Sequence, residues 1–249
     1  MKWRQVLVSA LMGLSASSFA MGGLQPSKPR VIYASTSKEA SISFFNRATA
    51  PLLVQTWVDD GDDSVAAARR PAPYLVTPPI FRVEPAAGQV VRLFLATDGF
   101  PDDRERVSYL NVLYTDPVSS SEETEQAVGG SVRFSIRHRI KIFHRPKSLG
   151  AALSRSGSPL AVRASAGSGP EGAVLLVNSG PFYVSLAGKL KLVSKTDALD
   201  LVDGMIAPFE TLTVPVPRRS VDPEGWERAI FSVTGDYGNI IQFEAPVER

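Results

Sequence analysis

The chain has 249 residues, 27 lysines and arginines against 25 aspartates and glutamates, and no cysteine. Charge this balanced gives no basis for general binding to nucleic acid or to an anionic membrane surface. Without disulfides, each domain has to be held by its own apolar core.

The N-terminus reads as a targeting segment. Lys2 and Arg4 precede a mostly apolar run over residues 6–14, and Ser18-Phe19-Ala20 offers a small-x-small cleavage pattern. The run is too short to span a bilayer. This predicts a signal peptide over residues 1–20, cut after Ala20, and export. Without Lys2 and Arg4 the 27 basic residues fall to 25, equal to the 25 acidic ones. A mature chain of about 229 residues suits two domains of roughly 100 to 120 residues.

Short strands follow. RVIYAS, ASISFFN and PLLVQTWVDD are rich in β-branched and aromatic residues. DDGDD at Asp59 to Asp63 reads as a solvated turn; it lacks the alternate ligand spacing and closing Glu of a calcium loop. TPPIFRVEP sets prolines at strand edges, QVVRLFLAT is a strand, and PDDRERVSYLNVLYTDP joins a charged turn to a strand. SSSEETEQAVGG reads as a flexible loop. Then comes VGGSVRFSIRHRIKIFHRP, in which apolar Val132, Phe134 and Ile136 alternate with Arg133, Ser135 and Arg137. Residues 131–144 would extend about 45 Å as a strand, far beyond the usual length. Part of its apolar face is therefore expected to overhang and meet something else, because a long bare edge is an aggregation hazard.

LGAALSRSGSP is linker-like, and the short-strand pattern returns in LAVRA, AVLLVN, FYVSLAGKLKLV, MIAPFETLTVPVP, RAIFSVTGD and NIIQFE. No amphipathic helix stands out. The expected fold is all-β: two sandwiches in tandem, over residues 24–146 and 160–249, joined by a linker at 147–159.

Little in the chain carries chemistry. His138 and His144 share a strand face, but no cysteine or close acid completes a metal set, and neither has a nucleophile context. GSGPEG at 167–172 matches a dinucleotide fingerprint by letters alone, since it precedes a strand rather than a helix. Asp102, Asp103 and Glu105 alternate with Arg104 and Arg106, which reads as a turn with a structural ion pair rather than a general acid/base cluster. No cofactor is expected.

RVIY from Arg30, TPPIFRVEP, PDDRERVSYLNV, RIKIFHRP and GDYG occur in order. Together they resemble the periplasmic pilus-assembly chaperones of the chaperone–usher pathway, across nearly the whole mature chain. The resemblance implies two immunoglobulin-like sandwiches set at an angle around a cleft, and a non-enzymatic, ATP-independent role in the periplasm. It implies two partners: a pilin or fimbrial subunit lacking its last strand, and an outer-membrane usher that receives it. Arg30 and Lys141 match the family's anchor for the subunit's terminal carboxylate. Val132, Phe134 and Ile136 match its donor residues. Arg145, Asp236 and Glu105 match an interdomain ion-pair network. Lys141 and Phe134 have opposite parity, so anchor and donor residues are expected to serve different surfaces. The chain departs from the family pattern at Arg106, where serine is usual, and at His144, where an aromatic is usual. The short loop and absent cysteine resemble the branch serving rod-like pili. An exposed edge also invites a self-capping dimer. The alternatives are a secreted two-domain adhesion module recognising ligands through loop tips, and a hydrolase using Asp102 or Glu105.

Overall fold

The computed structural model describes residues 23–61, 72–97, 99–115, 135–150, 160–165, 171–194, 198–201, 204–217 and 226–248. The expected signal peptide, the SSSEETEQAVGG loop, most of the linker, and Val132 and Phe134 lie outside them.

Nine strands build the first unit. They are β1 (Leu24–Pro26), β2 (Arg30–Ala34), β3 (Ala40–Asn46), β4 (Leu52–Asp59), β5 (Tyr74–Thr77), β6 (Ile80–Val83), β7 (Gly88–Leu95), β8 (Arg106–Thr115) and β9 (Ser135–Arg145). One sheet runs β1-β3-β7-β5 and the other β2-β9-β8-β4-β6. The alternation of β4 shows why they stack: Leu52, Val54 and Val58 are buried, while Leu53, Gln55 and Trp57 face outward. Ile42, Phe44, Val91 and Leu93 from one sheet meet Leu110, Val112, Ile140 and Ile142 from the other in a single core. Each such side chain contributes about 1.5–3 kcal/mol on full burial.

The second unit comprises β10 (Ala161–Ser165), β11 (Glu171–Val177), β12 (Val184–Ser185), β13 (Leu190–Val193), β14 (Ala198–Leu201), β15 (Met205–Ile206), β16 (Thr211–Pro217), β17 (Arg228–Thr234) and β18 (Ile240–Glu248). The main sheet runs β14-β13-β17-β18-β10-β11-β16, and β12 pairs with β15. Val174 and Leu176 of β11 share a core with Leu190, Leu192, Phe231 and Val233, so the sheet closes on itself. Glu171 and Gly172, the end of the fingerprint-like GSGPEG, open β11 and lead into no helix. The protein is all-β, and its regular helical structure among the described residues is a single turn of 3-10 helix, Lys147–Leu149.

Candidate functional site

The site is organised by β9. β8 runs antiparallel along its whole length, from Thr115 opposite Ser135 to Arg106 opposite His144. On the other side β2 runs parallel to β9, and only from Arg30 beside Lys141 to Ala34 beside Arg145. Among the described residues, Ser135 to Ile140 therefore have a neighbour on one side only. That leaves a bare backbone edge, which β2 continues in line from Arg30 onward.

Side-chain parity splits β9 into two faces. Ile140 and Ile142 enter the core, and Ile136 and His138 share their face. His138 stacks on Tyr114 at 5.5 Å. Ile136, a core-type residue, is 36% exposed. Arg137, Arg139, Lys141, Phe143 and Arg145 line the opposite face, which turns toward the second domain through Phe143 and Arg145. The expected difference in surface between Lys141 and the donor residues thus follows from alternation alone at Ile136.

At the C-terminal end of β9 the domains are tied together. The Arg145 Nε donates to Glu105 Oε1 at 2.8 Å, and its two terminal nitrogens donate to Asp236 at 2.6 and 2.8 Å. The Tyr183 N–H donates to Glu105 Oε2 at 2.9 Å, and the Glu105 N–H to the Pro181 carbonyl at 2.8 Å. Phe143 packs on Tyr183, and the Arg145 guanidinium lies over Phe182. The matched motifs give the members of this network but not its depth. It is buried: Glu105 is 3% and Arg145 8% exposed. Burial works against the Arg145 charge, yet Asp236 and Glu105 together raise its pKa above the ordinary arginine value. Asp103 pairs instead with Arg104 at the surface.

Arg30 sits where the bare edge ends. It is buried, its Nη1 donates to the Thr234 carbonyl of the second domain at 2.9 Å, and its guanidinium lies over Phe143. Its Nε is buried with no hydrogen-bond partner. Burial lowers its pKa against the opposing influence of Asp236 and Glu105. Gly238, at φ +83°, lets the turn after β17 approach Pro29; a β-carbon there would come within 2.6 Å of the proline ring.

Sequence reasoning missed three things. Asp59 closes β4, as PLLVQTWVDD implies, but its carboxylate is not left to solvent: it binds Asn111 and Arg139. Asn111 is itself fully buried. His144 occupies an aromatic cage, with Nδ1 3.2 Å from the Tyr74 hydroxyl and Tyr33 and Phe100 against its ring. The β-strand periodicity signals the faces but not these cross-strand partners. Among the described residues, no three histidine or acidic side chains are grouped to hold a metal.

The comparisons with known proteins agree with this architecture. Residues 23–150 match the family described as pili and flagellar-assembly chaperone, PapD N-terminal domain, and residues 159–245 match the pili assembly chaperone PapD C-terminal domain. The chain is 31% identical to the chaperone protein FimB/FhaD of Bordetella pertussis, over 99% of this chain and 98% of that one. It is 35% identical to the probable fimbrial chaperone YadV of Escherichia coli, over 80% and 78%. The crystal structure of the YadV chaperone superposes with a TM-score of 0.70 at 28% identity, covering 90% of this chain and 99% of that one. These domains and relatives are chaperones, not enzymes.

Proposed function

Because the chain belongs to the pilus-assembly chaperone family of the chaperone–usher pathway, we propose that it lends the bare half of β9 to a pilin subunit whose own sandwich lacks a strand. The observation that carries this reading is the polarity of the open slot. β2 runs parallel to β9 and starts at Arg30, beside Lys141. A strand entering along Ser135 to Ile140 in the direction of β2 reaches Arg30 with its C-terminal end. Its free carboxylate then meets two cations, one of them with an unsatisfied buried Nε. Charge-assisted bonds of this kind are strong. The reverse orientation would bring an α-ammonium to the same cations and be repelled.

In this reading Arg30 and Lys141 anchor the carboxylate. Val132, Phe134 and Ile136 fill the subunit's groove, each contributing about 1.5–3 kcal/mol if fully buried there. Backbone pairing supplies the affinity and the alternating side chains the specificity. Glu105, Arg145 and Asp236 fix the angle between the domains, so that the anchor and the edge face one client. The subunit passes to an outer-membrane usher without ATP, in the periplasm, after removal of residues 1–20. The free chain caps its edge by pairing with a second copy.

The test uses the tagged full-length chain expressed in the periplasm of the bacterium that encodes it. Wild type is expected to co-purify with a pilin-type subunit, and Lys141→Ala, folded by circular dichroism, to lose it. Equal recovery with both would refute the anchor.

A further inference from the structure

An edge strand held on one side frays readily, yet the lent half of β9 is gripped on its cleft-side face by a built network. Asp59 at the end of β4 accepts hydrogen bonds from the Arg139 Nη2 at 2.8 Å, from the Asn111 Nδ2 at 2.5 Å and from the Gly61 N–H at 2.9 Å. The Arg137 Nη2 lies 3.5 Å from the same carboxylate. Asn111 uses its other end as well, its Oδ1 accepting from the Arg137 Nε at 2.8 Å. Each arginine also covers a ring: Arg137 lies over Trp57 at 5.4 Å and Arg139 over Tyr109 at 4.2 Å.

The register explains how four sequence-distant residues converge. Trp57, Asn111 and Arg139 stand in one row across β4, β8 and β9, and Asp59, Tyr109 and Lys141 in the next but one. Arg139 leans toward Asp59 and Tyr109. Arg137, two residues earlier, leans the same way toward Asn111 and Trp57. Burial alone would raise the Asp59 pKa, but the bonds from Arg139, Asn111 and Gly61 outweigh it and hold the carboxyl below its ordinary value. The arginines are partly exposed, at 39% and 30% for their side chains. Pairs of this kind add little to global stability, so the effect of the network is local to the strand it holds.

We propose that Asp59 and Asn111 are positioning residues that hold Arg137 and Arg139, and through them the open half of β9, straight and in register before a subunit strand arrives. This rests on the reading of β9 as the lent edge. Ordering the edge in advance removes an entropic cost that binding would otherwise carry.

The experiment is amide hydrogen exchange on the full-length chain, comparing wild type with Asp59→Ala, Asp59→Asn and a control, Arg82→Ala, which breaks the exposed Arg82–Glu84 pair in the same sheet. In Asp59→Ala, the β9 amides bonded to β8 between residues 136 and 140 should exchange about tenfold faster. Those at 141–145 and in β3 should keep their rates. Asp59→Asn, which keeps an acceptor and the shape, should fall between, and Arg82→Ala should match wild type. Unchanged exchange at 136–140, or equal acceleration throughout the first domain, overturns the proposal. The second readout is recovery of the pilin-type subunit bound by wild type: Asp59→Ala should lower it, and full recovery on a loosened edge also overturns the proposal. Failure of the wild-type chain to recover any pilin-type subunit would instead remove the reading of β9 as the lent edge, whatever the exchange rates.

Discussion

The two domains close in the same way, and the proposed site falls in only one of them. In each, the last strand pairs in parallel with an early strand over its final residues alone: β9 with β2 from Lys141 to Arg145, and β18 with β10 at Val247 and Glu248. Each domain also carries a buried asparagine that staples a turn. The Asn46 side chain donates to the Ala50 and Val83 carbonyls and accepts from Ala48, while Asn178 donates to those of Phe182 and Ala207 and accepts from Gly180. These shared devices belong to the fold. Among the described residues, the first half of β18 is as bare on one side as that of β9, with Ile240 69% exposed. Where the parallel pairing begins, Val162 stands beside Val247, the places that Arg30 and Lys141 hold in the first domain; among the described residues β18 carries the separate exposed pairs Arg228–Glu244 and Arg163–Glu248 rather than one shared cluster. An open edge is therefore common property of this sandwich, and it is the charges around one edge that support the proposed site there.

Several substitutions can break or sharpen that contrast. The largest effect on stability should come from Arg145→Ala. It strands the buried Glu105 carboxylate and frees Asp236, and removing one partner of a buried ion pair costs about 3–5 kcal/mol. Denaturant unfolding should then separate into two transitions, one per domain, where the wild type is expected to unfold in a single coupled one. A single wild-type-like transition would mean that the network does not join the domains. Lys141→Ala should cost the bound subunit about 2–5 kcal/mol of affinity, the range for truncating one side of a desolvated charge pair. The stability of the free chain should barely move.

Ile136→Ser separates edge from core more finely. Ile136 is exposed, so the free chain's stability should shift by no more than about 0.5 kcal/mol. Subunit recovery should nonetheless fall, whereas Ile240→Ser on the bare edge of β18 should leave both unchanged. Loss of subunit with the β18 variant would contradict the assignment of the site to one domain.

The smallest expected effect concerns His144. Burial lowers its pKa against a weaker opposing influence from Asp102, and Arg106 stands opposite it on β8. With the folded value depressed, the unfolded chain takes up the proton first. Stability should therefore fall as pH drops through the ordinary histidine value of 6.5, and level off once the folded histidine is protonated as well. The slope is bounded by about 1.4 kcal/mol per pH unit. His144→Phe should remove that part of the slope. An unaltered pH profile in this variant would place the dependence elsewhere.

How much of this was legible in the sequence depends on the range of the interaction. The alternation in β9 identifies its two faces, because strand parity is a local property. The proposed anchor residues and the interdomain residues come from the family motifs, not from any spacing rule. The Asp59 network was not legible: Asp59 and Arg139 are 80 residues apart, and only the registers of β4, β8 and β9 bring them together. DDGDD suggests a solvated turn because aspartates beside glycine usually form one; Asp59 at its start also ends β4, and the strand sets its carboxylate beside a buried asparagine. Burial of Glu105 and Arg145 was missed for a related reason. A charged run such as DDRER suggests solvent until a second domain covers part of it.

The central claim is that the client lies along one half of one strand. Hydrogen exchange of the chain alone and in complex with its co-purified subunit tests it most directly. The account predicts that β9 amides between 135 and 140 that point away from β8 gain protection on binding, while those of the equally bare 240–246 stretch of β18 do not. Protection confined to β18 or to loop tips, with β9 unchanged, would contradict it.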